Sequence, residues 1–262
     1  MFENKKALIV VRTYPTPARK GVEVSCTAGV TDDGKWPRLF PVPYRLLEED
    51  KRFKKYQWIE VEAEKAGDPR PESHKIRPQS IRIVGEILST ERAWRDRKEI
   101  LEPLGGHCLC CLKRQRDNYG SPTLGFIKPR QVKRLILKRQ SGRWTDAQMA
   151  ALRQGNLFEE APAEELEKIP FSFLYEFACD HSECKGHKLS CTDWEMGESW
   201  RKWKVEYGKN WEAAFREKFE KQMIEEKDLH FFVGTVNAHP AEWIIVGLFY
   251  PPKFSPLPLF GE

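Results

Sequence analysis

Apolar and polar positions alternate along the N-terminal third of the chain. The run 6–12 (KALIVVR) is short, apolar and bounded by charge, so it predicts a buried strand. A second strand is expected over 22–30 (VEVSCTAGV), closed by the turn Asp32-Asp33-Gly34. Residues 36–42 stay extended because Pro37, Pro41 and Pro43 exclude helix. Alternation returns over 56–64 (YQWIEVEAE) and 80–88 (SIRIVGEIL). Five short strands at near-even spacing predict a small barrel or a strongly coiled sheet. The stretch 66–78 is polar and punctuated by proline, and reads as a long loop. Its Arg70, Glu72, Ser73 and His74 could form a site, or could simply be solvated.

Helical spacing appears further along. Thr90 can cap a helix over 92–101 that Pro103, Gly105 and Gly106 end. Residues 115–128 are turn-rich, and 132–137 predicts a strand. Thr145-Asp146-Ala147-Gln148 is a capping box, opening a helix over 145–154 with Gly155 at its end. The aromatic alternation of 171–179 predicts a strand, with a returning strand over 188–191. Helices are expected over 194–206 and 211–227, broken at Gly208. Asn210 can cap the second, whose Trp211, Phe215, Phe219 and Met223 recur in steps of four. Strands over 229–236 and 243–250 form a hairpin across Asn237-Ala238-His239-Pro240.

The expected fold is therefore α+β. A β-rich small barrel or coiled sheet (1–88) leads through a basic connecting region (89–158). An aromatic-rich C-terminal part (159–262) carries an antiparallel sheet packed with two helices. The acidic stretch 156–168 reads as a linker and the Pro-rich 251–260 as an extended tail.

Composition narrows the class. Nine Trp among 262 residues argue against disorder. The longest apolar run, 243–250, has eight residues where a membrane span needs about 20, so no membrane partner is expected. The apolar run 7–11 is too short for a secretory leader. Seven cysteines, six of them in two tight clusters, suit metal binding in a reducing compartment. A cytoplasmic location is expected.

Charge is uneven. The whole chain carries +5, yet 113–143 alone holds ten basic residues opposed only by Asp117. Such crowding is the footprint of a phosphate-backbone partner, DNA or RNA. Lys128, Arg130, Lys133, Arg134, Lys138 and Arg139 are the expected phosphate contacts, with Trp144 as a stacking surface. Strand alternation would send Arg134 and Lys138 to one face and Lys133 to the other, and the acidic linker could neutralise them.

The sharper chemistry is Cys179-x4-Cys184-x2-His187. Two thiolates and an imidazole on one loop suit Zn2+, which takes four sulfur or nitrogen ligands. Cys191 lies about 13 Å of extended chain past His187, too far for the same ion. The expected fourth ligand is Cys108 from the His107-Cys108-Leu109-Cys110-Cys111 cluster, with His181 as the local alternative. Four thiolates drawn from both clusters would instead hold an iron–sulfur cluster.

Asp193 and Glu195, with Lys188 nearby, allow a metal-dependent nuclease as the alternative function. The same acids fit a capping box, Thr192-x-x-Glu195. A protein–protein adaptor using the Pro-rich tail is a third reading. No GxxxxGK[ST], post-strand GxGxxG, HExxH or GxSxG occurs, which removes support for the common nucleotide-hydrolysing, dinucleotide-binding and acyl-transfer classes.

Overall fold

The computed structural model describes residues 1–18, 23–105, 108–155 and 165–253. Most of the acidic linker and of the Pro-rich tail lies outside the described residues, as does His107.

The N-terminal strands are β1 (Glu3–Arg12), β2 (Thr16–Pro17), β3 (Glu23–Val30), β4 (Arg38–Val42), β5 (Gln57–Lys65), β6 (Ser73–Ile76) and β7 (Arg82–Ile87). They run in the order β1-β3-β4-β6-β5, and β5 pairs back onto β1, closing a five-stranded barrel. The barrel expected from alternation is present, but its membership differs. The stretch read as a loop contains β6, which pairs parallel to β4 and antiparallel to β5 and so closes the ring. The expected strand over 80–88 pairs outside the ring, onto β5. Four residues are too few to show alternation, so β6 left no pattern in the sequence.

β1 explains its own apolar run. Ala7 and Ile9 point into the barrel, against Leu39, Val61 and Ile76. Leu8, Val10 and Val11 point outward, against Phe126, Phe232 and Val246 of the second sheet. A strand buried on both faces loses alternation and becomes continuously hydrophobic.

α1 (Glu91–Leu101) packs Trp94 against Tyr56 and Phe249 and has a left-handed segment at Arg92, Ala93 and Trp94. Ser89 Oγ, rather than the expected Thr90, accepts from the Glu91 N–H at 2.9 Å. α2 (Leu109–Tyr119) follows where turns were expected, stopped by Gly120 in the left-handed region at φ 73°. Its Leu112 rests on β8 (Leu124–Ile127), where a Cβ on Gly125 would come within 2.5 Å of Leu112 Cδ1.

The second sheet runs β8-β12-β13-β11-β10-β9, with β9 Gln131–Arg139, β10 Phe171–Ala178, β11 His187–Cys191, β12 His230–Thr235 and β13 Trp243–Phe249. Every pairing is antiparallel except β11 with β13. β8 and β9, from the stretch read as a connecting region, are full members of this sheet. α3 (Asp146–Gly155) opens with the expected box, Thr145 and Gln148 bonding reciprocally. α4 (Trp194–Glu206) and α5 (Trp211–Arg216) cover one face. α5 continues through a π-helical stretch, Glu217–Gln222, which keeps Phe215 and Phe219 on the core.

The two sheets cover each other only in part. On the face opposite the helices, β8, β12 and β13 pack on the barrel through Leu124, Phe232 and Val246. β9, β10 and β11 extend beyond it. Their residues on that side are half-buried or exposed, including Arg134, Ile136, Lys138, Leu174, Glu176, Lys188 and Ser190.

Polar groups bind the halves together. The side chain of Glu72 accepts from both the N–H and the hydroxyl of Thr123 (2.8 and 2.5 Å), and Arg70 Nη1 donates to the Thr235 carbonyl at 3.0 Å. Arg70 and Glu72 therefore belong to the seam, while Ser73 and His74 bond within their own segment, to Asp68 and the Glu72 carbonyl. Deeper in the seam, Lys55 enters from the barrel. Its ammonium meets three acceptors: Asp193 Oδ2 at 3.3 Å, Glu195 Oε1 at 3.2 Å and the Leu248 carbonyl at 3.3 Å. Burial alone would depress the Lys55 pKa, but the two carboxylates reverse this and raise it well above the ordinary lysine value. The next residue, Tyr56, has a left-handed φ of 64°, costly for an aromatic. Its N–H to Ile9 O (2.6 Å) and its carbonyl to Leu88 N–H (2.8 Å) hold it there.

Removing one member of a buried, hydrogen-bonded ion pair strands its partner and costs about 3–5 kcal/mol. Lys55→Met is therefore expected to lower stability by that order in urea unfolding, and Lys55→Met with Asp193→Leu by less than the sum of the two single losses. A single-variant melting curve that overlays the wild type would show that the ammonium is dispensable.

Candidate metal centre and cationic face

Three pieces of chain converge at one end of the second sheet. β10 ends at Ala178, and Cys179 follows, fully buried. The chain reverses through Cys184 and through Gly186, whose φ of 93° favours glycine. β11 then begins at His187, opposite Phe177 of β10. α2 lies across this end and delivers Cys110. The donor atoms of Cys110, Cys179, Cys184 and His187 all lie within 4.8 Å of one another. His187 Nε2 is 3.2 Å from Cys110 Sγ and 3.5 Å from Cys184 Sγ. Tetrahedral ligands about 2.0–2.3 Å from one ion stand some 3.5–3.8 Å apart, so the group can close on a metal with little movement.

The surroundings fit a cation. Burial, then the neighbouring Cys184 thiol, pushes Cys110 up to about 12, and burial likewise raises Cys179. Burial opposes ionisation of Cys184 too, yet the N–H groups of Cys179 and Gly186 carry its pKa below the ordinary thiol value. Burial lowers His187 to about 4, keeping its imidazole neutral and able to ligate. The Leu109 N–H donates to Cys179 Sγ (3.2 Å) and the Cys179 N–H to Cys184 Sγ (3.3 Å), supporting thiolate sulfurs. A dication would supply the charge that lets the crowded thiols deprotonate.

Of the expected ligands, Cys179, Cys184 and His187 come together as read, and Cys110 joins them in place of Cys108. The reason is helical. Once α2 starts at Leu109, Cys108 is its N-cap and faces Cys111 one turn on, while Cys110 points to the loop. Gly120 as a helix stop was the sequence signal for this helix. Cys191 and Cys26 lie outside the group among the described residues.

The carboxylates have another role from the one a nuclease needs. Asp193 Oδ1 caps α4 through the Glu195 N–H at 2.7 Å, and Oδ2 accepts from the Leu248 N–H at 3.0 Å as well as from Lys55. Glu195 Oε2 accepts from the Tyr250 hydroxyl at 2.5 Å. So Asp193, rather than Thr192, is the cap. Their cationic partner is Lys55, which nothing in FKKYQW distinguishes from its neighbours. Lys188 lies on the open sheet face, paired in register with Glu176.

The expected phosphate contacts separate. Arg134 and Lys138 of β9 share the open face with Lys188 of β11, on either side of β10. Glu176 stands between them, bonding Arg134 at 2.8 Å and lying 3.8 Å from Lys133. Lys138 and Lys188 make no ion pair among the described residues. Lys133 falls at the bulge beside Arg134 and reaches toward the same Glu176, whereas Arg139 lies on the helical side of the edge strand, over the Phe171 ring. Lys128 pairs with Asp228 at 2.7 Å, and Arg130 lies exposed in the β8–β9 turn. Trp144 is engaged internally. Its Nε1 donates to the Leu166 carbonyl at 2.8 Å and Lys168 covers its ring.

Residues 106–261 match a family model described as a domain of unknown function (DUF8757). The chain belongs to the DUF8757 family. Residues 3–103 match a second domain of unknown function (DUF8758). A comparison with curated proteins gives no match. The Cys3His group and the open cationic face both lie in the DUF8757 part, whereas Lys55 comes from the DUF8758 part. No helix among the described residues is long and apolar enough to cross a membrane.

Cys110→Ser is expected to strip bound metal from the purified protein. Cys108→Ser, which keeps a good N-cap, should retain it. Elemental analysis of the two variants checks this, and the opposite pattern would return Cys108 to the ligand set.

Proposed function

We propose that this protein binds nucleic acid through the open half of its second sheet, and that a structural Zn2+ at Cys110, Cys179, Cys184 and His187 fixes α2 to the end of that sheet. The observation that carries the binding reading is the shared side of Arg134 and Lys138 on β9 and Lys188 on β11, the two strands that flank β10, where these side chains are exposed. Arginine and lysine on a face with half-buried Ile136 and Leu174 present charge to phosphates beside an apolar surface for bases. Glu176 moderates that charge without cancelling it.

The donor set supports zinc. Three sulfurs and one imidazole match a closed structural site, whereas iron–sulfur clusters take four thiolates in most proteins. Such a zinc does no chemistry on a substrate. Its contribution is to fold the β10–β11 turn and dock α2, since structural zinc sites supply folding free energy directly.

Two measurements test this reading. Labelled single- and double-stranded DNA and RNA, titrated at rising salt, should bind with a steep salt dependence. The variant Arg134→Ala/Lys138→Ala/Lys188→Ala should bind more weakly, its log–log salt slope shallower by about 2–3 because each phosphate contact contributes 0.7–0.9. Absence of binding at low salt, or a triple variant that binds like the wild type, would end the proposal. Separately, elemental analysis should return zinc at one ion per chain, and a strong chelator should lower the melting temperature. Iron in place of zinc, or a melting temperature indifferent to the chelator, would refute the structural zinc.

A further inference from the structure

Two cysteines of the first cluster remain outside the Cys3His group. They form a C-x-x-C unit at the start of α2. Cys108 is the N-cap residue, with extended backbone (φ −82°, ψ 154°), and Cys111 lies one turn into the helix. The Cys111 N–H donates to Cys108 Sγ at 3.1 Å, and the two sulfurs are 2.7 Å apart. Cys108 is buried and Cys111 half-buried. Each of these sulfurs has the other as its nearest sulfur contact, and no carboxylate or imidazole completes a ligand set around them among the described residues.

We propose that Cys108 and Cys111 are a redox-active dithiol that closes to a disulfide beside the metal centre. A two-residue spacer at a helix start brings paired sulfurs together with small backbone movement, as the Cβ separation of about 4 Å in a disulfide requires. The oxidant is a small-molecule disulfide. Cys111, the more exposed sulfur, attacks it as a thiolate, forming a mixed disulfide and releasing one small thiol. Cys108 loses its proton and attacks the Cys111 sulfur, closing the intramolecular disulfide and releasing the second small thiol. The protein gives up two electrons and two protons, and the small disulfide takes up both pairs. Cys110 points the other way and stays with the metal group, so oxidation spares the ligands. The inference is independent of nucleic-acid binding.

The test treats the full, metal-loaded chain with oxidised glutathione and reads the intact mass, the peptide linkage and the metal content. The expected product is lighter by two hydrogen atoms, linked Cys108–Cys111, with its metal retained. Cys108→Ser should instead keep one glutathione on Cys111, because the resolving sulfur is gone. An unchanged mass for the folded protein would overturn the proposal. So would a linkage that draws in Cys110, Cys179 or Cys184 with loss of metal, or a Cys108→Ser variant that captures no glutathione.

Discussion

A single buried ammonium organises the seam of this molecule. Lys55 brings a positive charge from the barrel into a space shared with two carboxylates and the end of β13. Its three protons find three acceptors, and the carboxylate oxygens are in turn held by N–H and hydroxyl groups. Burying three charges is tolerable only because each is hydrogen-bonded. The arrangement also has geometric consequences. Asp193 caps α4, receives Leu248 of β13 and meets Lys55, so one side chain ties a helix, a sheet and the barrel together.

The same packing leaves the second sheet unevenly covered. The barrel packs on the β8, β12 and β13 side of the second sheet, and its Tyr14–Thr16 segment reaches the end of β11. Helices pack on the opposite face. The remaining patch, on β9, β10 and β11, is bordered at one end by the Cys3His group and crossed by three cations. The Cys3His group and the cationic face are thus consequences of the same strands. β10 and β11 carry Glu176 and Lys188 on one side, and their connecting turn carries Cys184.

Much of this was legible in residues. The box at Thr145, the four-residue steps of Trp211, Phe215 and Phe219, and the loop from Cys179 to His187 all describe local geometry, and local geometry is what periodicity and spacing encode. β6 escaped because four residues cannot display a period. α2 escaped because its buried face carries only Leu109 and Leu112, too few apolar positions to display a helical period. That omission placed Cys108 where Cys110 belongs. The basic stretch was visible as charge, but its division between two faces, an ion pair with Asp228 and the turn at Arg130 depended on partners distant in the chain.

The chain alone therefore determined its α+β character, four of the five barrel strands, the starts of α3, α4 and α5 and three of the four residues of the Cys3His group, because each depends on neighbours within a few positions. Only the tertiary structure decided that Cys110 completes the group, that Lys55 claims Asp193 and Glu195, and that Lys188 joins Arg134 and Lys138. Those juxtapositions arise from strand order and from which half of a sheet another layer covers. Contacts between residues that far apart in the chain leave no spacing for a linear reading to find.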